Sequence, residues 1–293
     1  MSRFLLSFKR QAGGGAIPPV TPDQPVTPLV SDLVALGILE KQVSAFTTDD
    51  IGKEIVIPYD NVGSGIDSPS PIVFEVVGVN HHTNSEHDKT ITLMTKFLIR
   101  KAAFDAAEPS NSNSDRKSYG NNRWSVSNIR QWLNSSGAAG SWFKPQHTAD
   151  AAPISSNVLD ADAAYADAPG FLAGFSADIL QHFTDITNIT ALCTADGGGS
   201  ETTVDKVFLP SCTEMRYGNN GNVAEGSPLP KFTDDDSRKK IIKGGGYGSY
   251  WMRSPDTDSY AVKRIVTVSG RPYNLNDKAY SGLNYIAPII VLH

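Results

Sequence analysis

The sequence predicts an α+β fold from three features: consecutive β-rich runs, one amphipathic helix and an apolar closing run. The β-rich runs lie between Ile51 and Thr95, separated by turns rich in Gly, Ser, Asn and His. A helical pattern follows at residues 121–135, and β-type runs return at residues 261–268 and 286–292. With 293 residues, 40% of them hydrophobic, the chain can bury the core of one large or two small domains.

Residues 1–46 are predicted to form an N-terminal arm outside the main domain. Residues 11–28 contain three consecutive glycines and five prolines, a composition that disfavours helix and keeps a segment extended. Behind this linker a short helix is expected at residues 30–39, with Ser31 as a candidate N-cap. Its apolar positions at helical spacing are Val30, Leu33, Val34 and Ile38. We expect this helix-containing arm to dock the chain onto other proteins, with the main domain at residues 47–293.

The middle of the chain alternates predicted elements with long loops. The helix at residues 121–135 has Ile129, Trp132 and Leu133 on one face, with Ser125 or Ser127 able to cap it. Residues 178–190 fit a helix or a strand equally well. Arg253 is predicted to form a structural ion pair. Four tryptophans are predicted to fill the core: Trp124, Trp132, Trp142 and Trp251.

The segment from residue 247 to residue 285 has an unusual composition. It holds six of the ten tyrosines of the chain, and Tyr, Ser, Asp and Asn together fill 17 of its 39 positions. Tyrosine supplies a rigid amphipathic contact, and small polar side chains supply adaptable hydrogen bonds, which is the mixture that paratopes use. A β-rich terminus with many turns is the alternative. The candidate ligand-binding residues are Tyr247, Ser249, Tyr250, Asp258, Ser259, Tyr260, Tyr273, Asn274, Asn276, Asp277, Tyr280, Asn284 and Tyr285.

Three motifs suggest a family. Residues 119–135 read Tyr-Gly-Asn-Asn-Arg-Trp-Ser-Val-Ser-Asn-Ile-Arg-Gln-Trp-Leu-Asn-Ser; Phe-Leu-Pro begins at Phe208, and Tyr-Trp-Met-Arg-Ser-Pro begins at Tyr250. From Thr47 to the C-terminus the chain resembles a domain common in gut bacteria and their phages. That domain has a C-type-lectin-like fold related to formylglycine-generating enzymes.

This resemblance implies that the ligand-binding surface lies at the C-terminal end, in about residues 244–293. Some similar phage proteins are targets of diversity-generating retroelements, which mutate template adenines and can turn an Asn codon into Tyr, Ser or Asp. The observed enrichment in those residues fits that operation. Residues 282–292 depart from the usual pattern, because Asn284 and Tyr285 stand near where relatives often carry an Arg-Pro pair. These two residues are therefore candidate variable positions.

Charge and composition indicate which classes of partner are not expected. With 26 Lys+Arg against 31 Asp+Glu the chain lacks the positive face of a nucleic-acid binder, so no nucleic acid is expected. The longest apolar runs fall far short of the roughly 20 residues that span a bilayer, so no membrane insertion is expected. Cys193 and Cys212 match no common zinc spacing; two reduced thiols are favoured over one disulfide.

Catalytic and metal sites are weighed against this recognition hypothesis. A metal site is conceivable at residues 81–88, which hold His81, His82 and His87, but a solvated loop is favoured because the His-Glu-x-x-His spacing is missing. Calcium is the one cofactor considered, and it has two candidate groups of ligands: residues 234–236, or Asp256 and Asp258. For both groups a solvated loop is preferred. Formylglycine-generating activity is not transferred, since both cysteines precede the Trp-Met-Arg-Ser-Pro motif.

The sequence is therefore interpreted as a non-catalytic receptor-binding or adhesion protein of a phage particle, or of a bacterial cell surface. Its ligand would be a host-cell surface protein or glycan, its arm would bind other virion proteins, and a homo-oligomer is expected because multivalency strengthens weak binding. The alternatives are a structural head or tail decoration protein and a metal-dependent enzyme of the formylglycine type.

Overall fold

A computed structural model describes residues 29, 32–66, 70–260, 263–273 and 277–293, with the side chains of residues 263–265 and 273 left out. The chain is a mixed α+β protein, mostly strands with short helices and 3-10 turns. Its strands are β1 (Glu54–Ile57), β2 (Ile72–Val79), β3 (Ile91–Thr95), β4 (Phe97–Leu98), β5 (Ile186–Ala191), β6 (Ser200–Asp205), β7 (Val207–Phe208), β8 (Lys240–Ile242), β9 (Tyr247–Gly248), β10 (Tyr250–Pro255), β11 (Lys263–Val266), β12 (Pro272–Tyr273) and β13 (Ile289–Leu292). Its α-helices are α1 (Ser114–Tyr119), α2 (Asn128–Leu133), α3 (Ala177–Leu180) and α4 (Asp235–Arg238). Within these residues no helix is both long and apolar enough to cross a bilayer.

The main sheet is antiparallel and has the strand order β1-β2-β3-β13-β7. It contains the predicted three-strand meander, which is confirmed. The predicted closing run forms β13, which pairs with β3 on one side and β7 on the other, and all four of its residues are buried. A strand buried on both faces reads as a continuous apolar run, as Ile-Ile-Val-Leu does here. The last strand in the sequence therefore lies inside the sheet.

Smaller sheets surround the main one. The strands β4, β8 and β9 form one, β10, β11 and β12 a second, and β5 with β6 a hairpin. Three successive glycines with positive φ, residues 244–246, make the turn between β8 and β9. Residues 178–190 contain both alternatives: a short helix ends at Leu180 and β5 begins at Ile186.

The predicted tryptophan-packed helix is confirmed as α2. Ser127 caps it by accepting a hydrogen bond from the Arg130 amide, and Ile129, Trp132 and Leu133 are fully buried. The helix ends at Leu133, earlier than the predicted range. Trp124, Trp142 and Trp251 are also buried, as expected.

Over residues 32–39 the predicted helix of the N-terminal arm is wrong, and its predicted start at Val30 and Ser31 lies outside the described residues. Residues 33–37 form a single hydrogen-bonded turn, started by Asp32, whose carboxylate accepts from the Val34 amide at 2.8 Å. Gly37 has φ of +70°, a left-handed conformation that ends the turn. Leu33 and Leu39 are buried in the same core cluster as the main domain. Packing therefore continues across the predicted boundary at residue 46.

A buried ion pair connects β10 with the loop after β7, and it confirms the structural pair predicted for Arg253. The Arg253 guanidinium donates to both carboxylate oxygens of Glu214, at 2.6 and 2.9 Å, and both side chains are 1% exposed. His82 Nε2 lies 3.1 Å from Glu214 Oε1. Burial raises the pKa of Glu214, but Arg253 and His82 outweigh burial and hold that pKa below the usual range.

Three imidazoles meet beside the turn at residues 33–37. The rings of His87 and His293 stack with centroids 3.5 Å apart, and the ring of His182 is 5.9 Å from that of His293. Burial, followed by the neighbouring His87, lowers the pKa of His293 to about 4.

This shift predicts a loss of stability in acid. Between about pH 6.5 and pH 4, His293 is protonated in the unfolded chain but not in the folded chain. The free energy of unfolding is therefore highest above pH 6.5 and decreases as the pH falls. Because the ring is half-exposed, we expect a loss of only about 1–2 kcal/mol. Urea unfolding of the protein and of His293→Asn at pH 7 and pH 4.5 measures it. An equal pH dependence in both proteins would contradict the assignment.

Candidate ligand-binding surface

The candidate residues between Tyr247 and Tyr285 differ widely in exposure. Tyr247 and Asp258 are exposed, and six others are partly exposed: Ser249, Ser259, Tyr260, Asp277, Tyr280 and Tyr285. Tyr250 and Asn284 are buried, at 0% and 2% exposure. Tyr273 contributes its backbone to β12, while its side chain, Asn274 and Asn276 lie outside the described part of the chain.

Two of the candidates, Tyr250 and Asn284, must be corrected from ligand contacts to scaffold residues. The Tyr250 hydroxyl donates to the Arg238 carbonyl at 2.6 Å, and burial raises the pKa of this phenol well above its ordinary value. The carbonyl of Asn284 accepts from the Ala102 amide at 3.2 Å. Burial raises the pKa of Asp277, and the side chain of Asn284 opposes that rise. Both residues therefore hold the C-terminal segment against the core.

Two of the candidates, Tyr260 and Tyr280, lie beside helix α1. We call this group the α1 patch, made of Arg116, Tyr119, Tyr260, Lys278 and Tyr280. The rings of Tyr119 and Tyr280 meet edge to face with centroids 5.6 Å apart. Lys278 Nζ lies 4.6 Å from the centroid of the Tyr119 ring, and Arg116 Cζ lies 5.2 Å from that of Tyr260. At partly exposed sites each cation–π contact contributes about 0.5–1 kcal/mol, so it favours one orientation of the ring.

Backbone contacts fix the α1 patch to the scaffold. The Tyr280 amide donates to the Tyr119 carbonyl at 2.9 Å. The Asn122 amide donates to the Tyr260 carbonyl at 3.1 Å, and its side chain donates to the carbonyl of Ser259 at 2.6 Å. The helix is itself capped by Asn113, whose side chain accepts from the amides of residues 115 and 116. Tyr280 is thus hydrogen-bonded to the last residue of α1, and Ser259 and Tyr260 are hydrogen-bonded to Asn122, three residues after the helix.

A second group, the hairpin patch, consists of Tyr247, Ser249 and Tyr285 beside the turn between β8 and β9. The Tyr285 amide donates to the Ser249 carbonyl at 2.9 Å. Lys101 Nζ lies 5.9 Å from the Tyr285 ring centroid, and Lys239 Nζ lies 5.5 Å from that of Tyr247. Tyr285 borders a groove of about 360 Å³ with apolar side chains from β2 and β4 in its lining. The four exposed candidate tyrosines therefore lie in two groups of contacts.

Sequence reasoning missed Arg116, Tyr119 and Lys278. Tyr119 opens the family-like motif, but it lies 141 positions before Tyr260, and no local pattern connects the two. The signal that could have been used is composition: α1 carries an arginine, a lysine and a tyrosine on only six residues. A short polar helix of that kind is exposed on most of its surface.

The groups considered for metal binding have structural partners. His82 contacts Glu214 and Thr92, and Asp234 caps α4 by accepting from the Ser237 amide at 2.8 Å. In the described ranges no three side chains of His, Cys, Asp or Glu form a group that could hold a metal ion. Cys193 and Cys212 are both buried and are not joined in a disulfide, and burial raises the pKa of Cys193 to about 11.

Comparison with known proteins gives one match. The family described as a domain of unknown function, DUF6273, matches residues 89–293, which is 205 of the 293 residues. The match contains β3 to β13 and both patches, whereas β1 and β2 of the main sheet precede it. Neither the curated proteins nor the solved structures contain a significant match. Over more than two thirds of its length, the chain belongs to the DUF6273 family.

Proposed function

We propose that this protein is a non-catalytic receptor-binding or adhesion component of a phage particle. In this proposal a C-type-lectin-like domain presents the α1 patch and the hairpin patch to a molecule on the host-cell surface. The mixed α+β architecture and the family-like motifs support the lectin-like assignment. Fold alone carries no function, so the proposal rests on the two patches.

The observation that carries the proposal is how the exposed tyrosines are held. Four candidate tyrosines keep exposed surface, and each has an aromatic or cationic partner: Tyr247 with Lys239, Tyr260 with Arg116, Tyr280 with Tyr119, and Tyr285 with Lys101. A ring that is already oriented loses little conformational entropy when a ligand covers it.

Attachment to the virion is assigned to the residues before Asp32. From Leu33 to Phe46 the arm packs on the core of its own domain, so this part is engaged within the chain. We also propose a homo-oligomer, because several copies of a weak site on one particle multiply the effective affinity. Size measurement of the purified chain by light scattering tests this.

Removal of the tyrosine rings tests the binding function. We expect Tyr247→Ala, Tyr260→Ala and Tyr280→Ala together to abolish attachment to host cells, because the aromatic anchors supply most of the contact energy. The rings are partly exposed, so the free energy of unfolding should fall by no more than about 1–2 kcal/mol. Attachment is measured by binding of the labelled full chain to a panel of gut bacterial strains, and stability by urea unfolding.

A matched control removes exposed apolar side chains elsewhere. Ile189 and Val204 on the outer face of the β5–β6 hairpin are 42% and 60% exposed. The variant Ile189→Ala with Val204→Ala should attach like the parent. Full attachment by the triple tyrosine variant would refute the proposal. Failure of that variant to incorporate into particles, with attachment unchanged, would instead favour the structural decoration role.

A further inference from the structure

The groove of about 360 Å³ beside the hairpin patch is open and has Tyr285 of that patch in its lining. Its walls come from the loop before β2 and the start of β2, from β4 and the residues after it, and from the end of β8. The apolar side chains that line it and are partly exposed are Ile66, Val73, Phe97, Ile99 and Ile242. The volume lies near the lower end of what ligand pockets enclose, so the groove admits a small ligand or about two side chains of a protein.

Three of these side chains, Val73, Phe97 and Ile242, belong to paired strands, and we call them the apolar floor. Val73 lies in β2 directly opposite Val56 of β1, which is 49% exposed, so both face outward from the main sheet. The strands β4 and β8 pair with one another, and the Lys96 amide just before β4 donates to the Val73 carbonyl at 2.8 Å. The apolar floor is therefore preformed. An exposed apolar surface bordered by polar groups is typical of a binding groove.

Positive charge collects around this groove. Among the described residues that line it three are cationic, Arg100, Lys101 and Lys243, and one, Asp162, is acidic. Within the described ranges Lys101 forms no ion pair, and its Nζ atom lies 5.9 Å from the centroid of the Tyr285 ring. The chain as a whole carries a net charge of −5, so the excess of cations is a local property of the groove.

Arg100 supplies a charge from behind the wall of the groove. Its guanidinium donates to three backbone carbonyls, those of Ser64, Lys101 and Ala164, and to no carboxylate in the part of the chain that the structure describes. A Cβ atom on Gly65 would lie 3.0 Å from Arg100 Cζ, so the guanidinium packs against backbone that lines the groove. Burial lowers the pKa of Arg100 to about 10, and the group stays charged at pH 7. An anion placed in the groove would lie in the field of this charge.

These features favour a partner that joins an anionic group to an apolar one. A sugar ring would place hydroxyl groups against the apolar floor, where they find no hydrogen-bond partner, and this costs free energy. A phosphate or sulfate ion alone would leave the apolar floor exposed. A protein segment with an Asp or Glu side chain next to a large apolar side chain meets both requirements, because its carboxylate can pair with Lys101 while the apolar side chain is buried.

We propose that this groove binds an acidic and apolar segment of a host-surface protein. The inference rests on the proposed function and names the class of its ligand. The carboxylate of the segment accepts a hydrogen bond from Lys101 Nζ, its apolar side chain covers the apolar floor, and Tyr285 packs against it at the edge of the hairpin patch. Arg100 attracts the carboxylate through its charge and makes no contact with it.

Two dyes that differ in charge test the chemistry of the groove. Anilinonaphthalene sulfonate carries an anion on apolar rings, and phenylnaphthylamine is its uncharged analogue. In fluorescence titrations of the full chain, we expect Lys101→Met to weaken binding of the anionic dye at least about threefold and to leave the neutral dye unchanged. Val73→Phe fills the groove and should weaken binding of both dyes.

Lys144→Met is the matched control, because Lys144 is an exposed lysine outside the lining of this groove. It should bind both dyes like the parent. Melting curves confirm that the variants are folded. Failure of the parent to bind the anionic dye, or equal affinity of the parent and a folded Lys101→Met variant for it, overturns the inference and leaves the proposed function standing.

Treatment of the cells identifies the source of the ligand. Protease removes surface proteins, whereas mild periodate oxidises glycan diols. Attachment of the full chain that is lost after protease, kept after periodate and weakened by both Lys101→Met and Val73→Phe supports the inference. Attachment that survives protease or is lost after periodate, or that is unchanged in the folded groove variants, overturns the inference alone. Attachment to no strain overturns the proposed function as well.

Discussion

Replacing Arg253 by methionine will lower the free energy of unfolding by about 3–5 kcal/mol, because it leaves the Glu214 carboxylate buried without its main partner. Arg253 donates to both oxygens of that carboxylate and also to the carbonyls of Leu209 and Glu225. Methionine fills much of the arginine volume but donates nothing. The loss therefore reports an uncompensated charge rather than a cavity.

Urea unfolding of the protein and of Arg253→Met measures this effect. The control is a double-mutant cycle with Glu214→Met. Removing the second charge should restore part of the lost free energy of unfolding. The double variant should therefore be about 2 kcal/mol more stable than the sum of the two single losses predicts. Additive losses would show that the two charges do not depend on one another.

Replacing Gly120 by alanine will destabilise the protein by about 3 kcal/mol and will disturb the α1 patch. Gly120 ends α1 with φ of +80° and ψ of 178°, a conformation that is almost confined to glycine. A Cβ atom there would lie 2.7 Å from the carbonyl oxygen of Asp105 and 2.8 Å from that of Ala106. Both obstacles are backbone, so neither can rotate away.

Gly140→Ala is the matched control. Gly140 also has positive φ, +72°, but a Cβ atom there would have no other atom within 4 Å. Its replacement should cost only the conformational penalty of about 1 kcal/mol. Denaturant unfolding compares the loss at Gly120, which includes the clash with Asp105 and Ala106, with the loss at a glycine that has open space around it. Equal losses would show that the backbone after α1 moves aside freely, and the patch would then not be rigid.

Elements with a strong local pattern were predictable from the sequence. The meander of β1, β2 and β3 and the helix α2 follow from alternation, from helical spacing and from the cap at Ser127. The arm helix failed because Gly37, which only weakens a helical pattern, takes a left-handed conformation here and ends the segment after one turn. The depth of residues 33–39 in the core depends on distant strands, which no local pattern encodes.

The candidate site was predictable in composition but not in orientation. In β10 all six residues from Tyr250 to Pro255 are buried, so the usual alternation of inner and outer side chains is missing. A tyrosine in such a strand looks the same in the sequence as Tyr247, which is 52% exposed. The partners of the exposed rings lie far away in the chain, as Arg116 does from Tyr260, and only the folded chain brings them together.

The position of β13 between β3 and β7 has a consequence for biosynthesis. Until residues 289–292 have left the ribosome, both neighbouring strands have an open edge, and the sheet stays divided. A premature stop codon or a frameshift anywhere in the tyrosine-rich segment would delete or scramble this strand. Completion of the sheet therefore depends on translation in frame through residues 247–285.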